Sequence, residues 1–205
     1  MPDLRRHQRH PEDPDRPRVV NGPLTLQALV PEQLPQLFMY LDDQLQENGR
    51  GAVPLFQPIS RGQSRLPPDK AASFAASFTV PFGQPRWRRM WLALDARGAI
   101  AGHVDLRARP EIAAYHRALL GMGVHRDHRG AGLGRQLVEH ALAWASVTPP
   151  LEWVDLDVLS GNLAARRLYE RAGFVVTGEV HDLYRIDGES HGSVTMSRRL
   201  APHPR

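Results

Sequence analysis

The residues best placed to do chemistry form the run Arg129-Gly130-Ala131-Gly132-Leu133-Gly134-Arg135, between a short apolar stretch and an amphipathic one. Glycines there let backbone N–H groups approach a ligand closely, and a following helix adds partial positive charge at its N-terminus, so a pyrophosphate is the natural guest. The same pattern also occurs where a strand-to-helix turn is simply packed tightly, and the run alone leaves both readings open. Two familiar phosphate loops do not fit. A dinucleotide fingerprint needs glycine at the sixth position, which here is Arg135. A Walker loop needs Gly-Lys-Ser/Thr, which is absent, and this disfavours nucleotide hydrolysis. With no cysteine there is no thiolate nucleophile, thiolate metal site or disulfide framework. His125 and His128 adjoin the glycine run and read as solvated or phosphate-facing. No His-Glu-x-x-His spacing occurs, and no metal is expected.

The elements that must position this run follow from periodicity. Ala118 to Val124 is an apolar run consistent with a buried strand, and from about Gly132 the residues Leu133, Leu137, Val138, Ala141, Leu142 and Ala145 fall on one helical stripe. Thr148-Pro149-Pro150 ends that helix. Leu151 to Leu159 alternates, with Val154, Leu156 and Val158 on one face and Trp153, Asp155 and Asp157 on the other. A second helix over Asn162 to Ala172 turns Leu163, Leu168 and Tyr169 inward and stops at Gly173. Strands at Phe174 to Val180 and Val194 to Ser197 flank the turn Asp187-Gly188. Upstream, Leu24 to Val30 reads as a strand and Glu32 to Asn48 as a helix ended by Gly49. A proline-broken stretch from Gly51 to Arg89 holds one short helix, capped by Asp69 and running to about Phe78. Met90 to Leu94 and Ile100 to Arg107 form an antiparallel hairpin around Asp95 to Gly98. This order predicts an α/β fold, a mixed sheet with helices on both faces.

Length and composition bound the rest. A chain of 205 residues suits one domain over 24–200, with a proline-rich polar tail over 1–23 that cannot order itself and a short tail over 201–205. No apolar run reaches the length of a membrane span and no apolar leader precedes the domain, so a cytoplasmic protein without membrane partners is expected. The net charge is +4, but the arginines are scattered among acids. This argues against a nucleic-acid partner, which would need a basic face or stripe. A homodimer is allowed.

Taken together, these blocks resemble the GNAT superfamily of N-acetyltransferases, in its bacterial small-molecule form. The cofactor loop of that family, Arg/Gln-x-x-Gly-x-Gly/Ala, reads here as Arg129, Gly132 and Gly134. Asn162-Leu163-Ala164-Ala165-Arg166-Arg167-Leu168-Tyr169-Glu170-Arg171-Ala172-Gly173-Phe174 looks like its second block, and Asp187-Gly188 to Leu200 like its closing hairpin. The resemblance covers Ala118 to Leu200. It implies a largely antiparallel sheet splayed at the cofactor site and acetyl-CoA as acyl donor, with its phosphates on Arg129, Gly130, Ala131, Gly132, Leu133, Gly134 and Arg135. It also implies a pantetheine arm along Met122, Gly123 and Val124, with Asn162 near pantetheine or acetyl. Tyr169 would be the general acid for the departing thiolate. The amine attacks directly, with no metal and no covalent enzyme intermediate.

The resemblance leaves the acceptor open between a small amine and a protein or peptide amino group, and a non-catalytic acyl-CoA sensor on the same fold is a further alternative. Phe56, Phe74, Phe78, Phe82 and Trp87 are candidates for an acceptor wall or for core, together with the turn near Asp187 to Gly192. Similar enzymes often carry an acid in the strand leading to the loop, but Ala118 to Val124 has none. His116 is therefore the first candidate for a base, since imidazole titrates near neutrality, with Asp155 and Asp157 behind it.

Overall fold

The structure is a computed structural model that describes residues 24–201; the N-terminal tail and the last residues, on which the tail expectations fall, lie outside that range. Its elements in chain order are β1 (Thr25–Ala28), α1 (Leu34–Gln46), α2 (Pro68–Thr79), β2 (Arg88–Leu94), β3 (Ile100–Ala108), β4 (Arg117–Val124), α3 (Leu133–Ser146), β5 (Trp153–Leu159), α4 (Leu163–Arg171), β6 (Val175–Ile186) and β7 (Glu189–Arg199). The strands form one mixed sheet in the order β1-β2-β3-β4-β5-β7-β6, in which only β4 and β5 run parallel.

Side-chain alternation assigns the helices to opposite faces. Trp91, Ala93, Val104, Leu106, Leu120, Val154 and Leu156 pack with α3 residues and with Tyr169 of α4. Met90, Leu92 and Ile100 point the other way, onto Leu37 and Tyr40 of α1 and Phe74 and Phe78 of α2. The long connection after α1 crosses to the far end of the sheet, where Leu55 meets Leu159 and Ile186. Asn48, fully buried, fixes that crossing: its amide donates to the carbonyls of Gln57 and Ile59 and accepts from the N–H groups of Phe56 and Gln57.

Several sequence expectations are corrected. Asp69 does not cap α2; Pro67 holds the cap position and Pro68 opens the helix, where a missing N–H costs nothing. Leu163 faces solvent, being the first residue of α4 on its outer side. The closing hairpin is longer than its apolar pattern suggested, because β6 is an exposed edge strand with little burial to mark it. Of the two readings left open for the aromatic residues, Phe82 and Trp87 take the core one, stacking with Trp144 on the α3 face, while Phe74 and Phe78 of α2 pack on the other face.

Candidate active site

Parallel pairing of β4 with β5 is brief. It covers Arg117 with Trp153, Ala118 with Val154 and Leu119 with Asp155, and then the strands part. β5 continues along β7 and β4 along β3, so Leu120 to Val124 keep one backbone edge without a strand partner. The fork opens toward the glycine run, because α3 starts at the end of the diverging β4.

The run itself divides into two kinds of glycine. Gly130 and Gly132 have φ of 78° and 84°, a region that favours glycine, and a Cβ at either would meet no atom within 4 Å. Gly134 is a packing position: a Cβ there would lie 3.2 Å from Leu168 Cδ2 and 3.5 Å from Met122 Cε. The run thus joins two open left-handed positions, Gly130 and Gly132, to one closely packed position, Gly134. Among the described residues the backbone N–H groups of Gly130, Ala131, Gly132, Leu133 and Gly134 bond no protein acceptor, and Arg135 is the first to do so, to the Gly132 carbonyl at 3.1 Å. Successive donors without a protein acceptor at the head of a fourteen-residue helix are the arrangement that suits an anion.

The arginines at the ends of the run have other duties. Arg129 donates to the Val124 carbonyl at 3.0 Å and to Glu47 at 2.9 Å, and Arg126 pairs with Glu47 and Asp43. Together they anchor the loop to α1. Arg135 pairs with Glu139 one turn along α3.

Tyr169 comes from α4 into the core beside Phe174, and only 8% of it is exposed. Burial pushes its phenol up to about 12, so it stays protonated at any working pH. Its hydroxyl has no hydrogen-bond partner among the described residues and is not one of the fully buried unpartnered atoms, so it is reachable from outside the core. Asn162 is the N-cap of α4: its Oδ1 accepts from Ala165 N–H at 3.2 Å, which leaves its amide N–H groups for another partner.

Among the described residues no hydrogen bond or ring contact joins a base candidate to Tyr169. His116 lies at the closed end of the fork, where its carbonyl accepts from Glu152 and Trp153, about 16 Å along β4 from Gly121. Asp155 is 1% exposed and fully engaged, by Arg117 at 2.5 and 2.8 Å, Arg109 at 2.9 Å and Ser197 at 2.7 Å. Burial raises its pKa, but the hydrogen bonds from Arg117 and Ser197 and the charges of both arginines outweigh that and hold the carboxyl below its usual range. It is a clamp at the last β4–β5 pair. Asp157 accepts from Thr195 Oγ1 at 2.7 Å.

A polar surface that sequence analysis passed over fronts the fork on the α1 and α2 side. His103, Asp105 and Arg107 alternate along β3, opposite Gly123, Gly121 and Leu119 of β4. His103 meets Tyr40 Oη through Nδ1 at 3.2 Å, and burial pushes its pKa down to about 4, leaving the imidazole neutral. A Cβ on Gly121 would stand 2.6 Å from Asp105 Oδ1, and one on Gly123 would stand 2.7 Å from His103 Cε1. The signal was present in the period-two polarity of Gly102 to Arg107. Ser60 and Arg61 of the α1–α2 connection bind Asp187 of the β6–β7 turn, and Arg61 also binds Glu189 at the start of β7. Those are the two regions assigned to acceptor choice.

Among the described residues no helix is long and apolar enough to cross a membrane, and no three metal-binding side chains cluster. The acetyltransferase (GNAT) family model matches residues 63–174. A 5-NmdU N-acetyltransferase of Pseudomonas phage PaMx11 is 32% identical over 94 residues, which are 45% of this chain and 63% of that relative. The fold is similar to a GNAT-family acetyltransferase from Streptococcus pneumoniae (TM-score 0.71, 22% identity, 87% of this chain and all of that one). It is also similar to a phosphinothricin acetyltransferase from Sinorhizobium meliloti in complex with AcCoA (TM-score 0.70, 17% identity, 87% and 89% covered).

Proposed function

Since the chain belongs to the acetyltransferase (GNAT) family, we propose that one domain over 24–200 moves an acetyl group from acetyl-CoA to a primary amine of a small molecule. The observation that carries this is the row of free N–H groups from Gly130 to Gly134 beside a fork in the sheet. The open space around Gly130 and Gly132 fits a pyrophosphate, and Leu120 to Val124 offer an unpaired backbone edge that fits the amide-bearing pantetheine arm. Asn162 has amide N–H groups left for that arm. Bound acetyl-CoA supplies an acyl group activated as a thioester.

The chain's own groups do the rest. A backbone N–H on the free edge of β4 donates to the carbonyl oxygen as it gains charge. The acceptor nitrogen bonds the carbonyl carbon, the carbon–sulfur bond breaks, and Tyr169 gives its proton to the thiolate. The phenolate regains a proton released by the nitrogen. A phenol pushed to about 12 is a weak acid toward a thiolate, whose own acid has a reference value of about 8.5. Its worth is therefore about 10- to 100-fold, below that of a well-matched acid. A hydroxyl with no partner among the described residues favours catalysis over a purely acyl-CoA-sensing role.

The test is thiol release from acetyl-CoA against a panel of small amines and a lysine peptide, with CoA-induced melting shifts in parallel. Turnover of a small amine is expected. Binding without turnover on any acceptor would identify a sensor, and turnover confined to the peptide would identify a protein acetyltransferase.

A further inference from the structure

Resting on that reading, we propose that the acceptor carries an anionic oxygen group, a carboxylate or a phosphate, which docks on Arg107 where the sheet forks. Arg107 extends from β3 onto the α1 and α2 face. Its Nη1 donates to Asp105 Oδ2 at 3.1 Å, while Nε and Nη2 make no hydrogen bond among the described residues. About a third of the side chain is exposed, so these donors are within reach of a ligand. Gly121 holds the guanidinium in place: a Cβ there would stand 2.8 Å from Arg107 Nη1, so any larger residue would push it off β4 just beyond the last β4–β5 pair.

The surroundings are short of negative charge. Arg88 Nε lies 3.6 Å from Asp105 Oδ2, is buried and has no hydrogen-bond partner among the described residues, and the Arg88 guanidinium lies 3.9 Å from the Phe74 ring centre. Two strand spacings away, about 10 Å, Arg117 and Arg109 exhaust Asp155. Four guanidinium groups thus face two buried carboxylates, and Glu111, largely exposed, meets only Arg109. Burial pushes the pKa of Arg88 down, Asp105 opposes this and Arg107 adds to it; the one Asp105 carboxylate serves both cations, which leaves room for a second counter-charge. An incoming anion would supply it, and a polycation would meet repulsion. Planar guanidinium donors suit carboxylate and phosphate alike.

The test compares acetyl-CoA turnover by the full chain on β-alanine, O-phosphoethanolamine, n-propylamine and spermidine. Wild type is expected to prefer one or both anionic amines over n-propylamine by about tenfold or more, and which of them leads separates carboxylate from phosphate. Arg107→Gln should raise the anionic acceptor's KM by about 10- to 100-fold, with n-propylamine nearly unchanged and the CoA-induced melting shift retained. Arg107→Glu should turn the preference toward spermidine. Equal losses on all four amines, or a wild type without charge preference, would overturn the proposal. If no amine releases thiol, the transfer reading falls separately. The melting shift of CoA-saturated protein on adding β-alanine or O-phosphoethanolamine, and its loss in Arg107→Gln, then decides the anion site.

Discussion

The two faces of the central sheet are built from the same strands and have opposite characters. Toward α3 and α4, Val104, Leu106, Leu120, Val154 and Leu156 are buried and continuous with the helix stripe. Toward α1 and α2, the alternate residues of β3 and β5 are His103, Asp105, Arg107, Asp155 and Asp157, and those of β4 include Gly121 and Gly123. The apolar face gains stability in proportion to the area it buries. The polar face must satisfy each buried group individually, as Asp155 and Tyr40–His103 do, and is left with spare donors where a substrate would bind. Both faces hold the fold together, the second through the Met90, Leu92 and Ile100 cluster and the Asp155 ion pairs, and only the second carries the polar groups on which the proposed acceptor site rests.

The sharpest test of that division lies at the head of α3. Gly132→Glu puts bulk and negative charge at a left-handed position among the free N–H groups, and should erase CoA stabilisation, about 4 kcal/mol at a thousandfold excess over Kd. Calorimetric titration checks it, and CoA affinity kept by a folded variant would remove the anion site. Next is Asp155→Asn, which leaves two arginines without their carboxylate and should cost about 3 kcal/mol in denaturant unfolding, the low end for a broken buried pair because those arginines are about a quarter exposed. Since the folded pKa is depressed, the wild-type advantage is present above about 3.9 and fades as pH falls through the folded value. A base at Asp155 would instead shift the neutral pH–rate profile while leaving stability intact.

Tyr169→Phe should lower turnover by about 10- to 100-fold with CoA affinity kept. Because the phenol is held near 12, the wild-type rate should show no loss from tyrosine ionisation up to about pH 10. Stability carries the matching sign: the folded state holds this proton more tightly, so stability declines as pH rises from about 10 toward 12. The smallest expected change is for Arg61→Ala, which cuts the tie to Asp187 and Glu189. Exposed pairs hold little stability, so the melting temperature should hardly move, whereas acceptor KM should rise a few-fold if these two segments border the acceptor. A fall in melting temperature without any KM change would make that tie structural only.

The sequence alone determined what is contiguous in the chain. Arg129 to Arg135 is a local backbone device, so its glycines, the helix behind it and the α4 block with Asn162 and Tyr169 were legible from spacing and from the family resemblance. The α3 stripe and the alternation of β5 were legible because burial on one face leaves a period. Only the tertiary structure decided what faces what across strands. Pairing in register puts Asp105 over Gly121 and His103 over Gly123, places Asp155 under two arginines, and leaves His116 at the closed end of the fork. A glycine in β4 and a polar residue in β3 carry no mark of each other in one-dimensional order. Their meaning comes from hydrogen-bonded neighbours separated by many residues, and a one-residue slip in register would turn every one of those side chains to the other face.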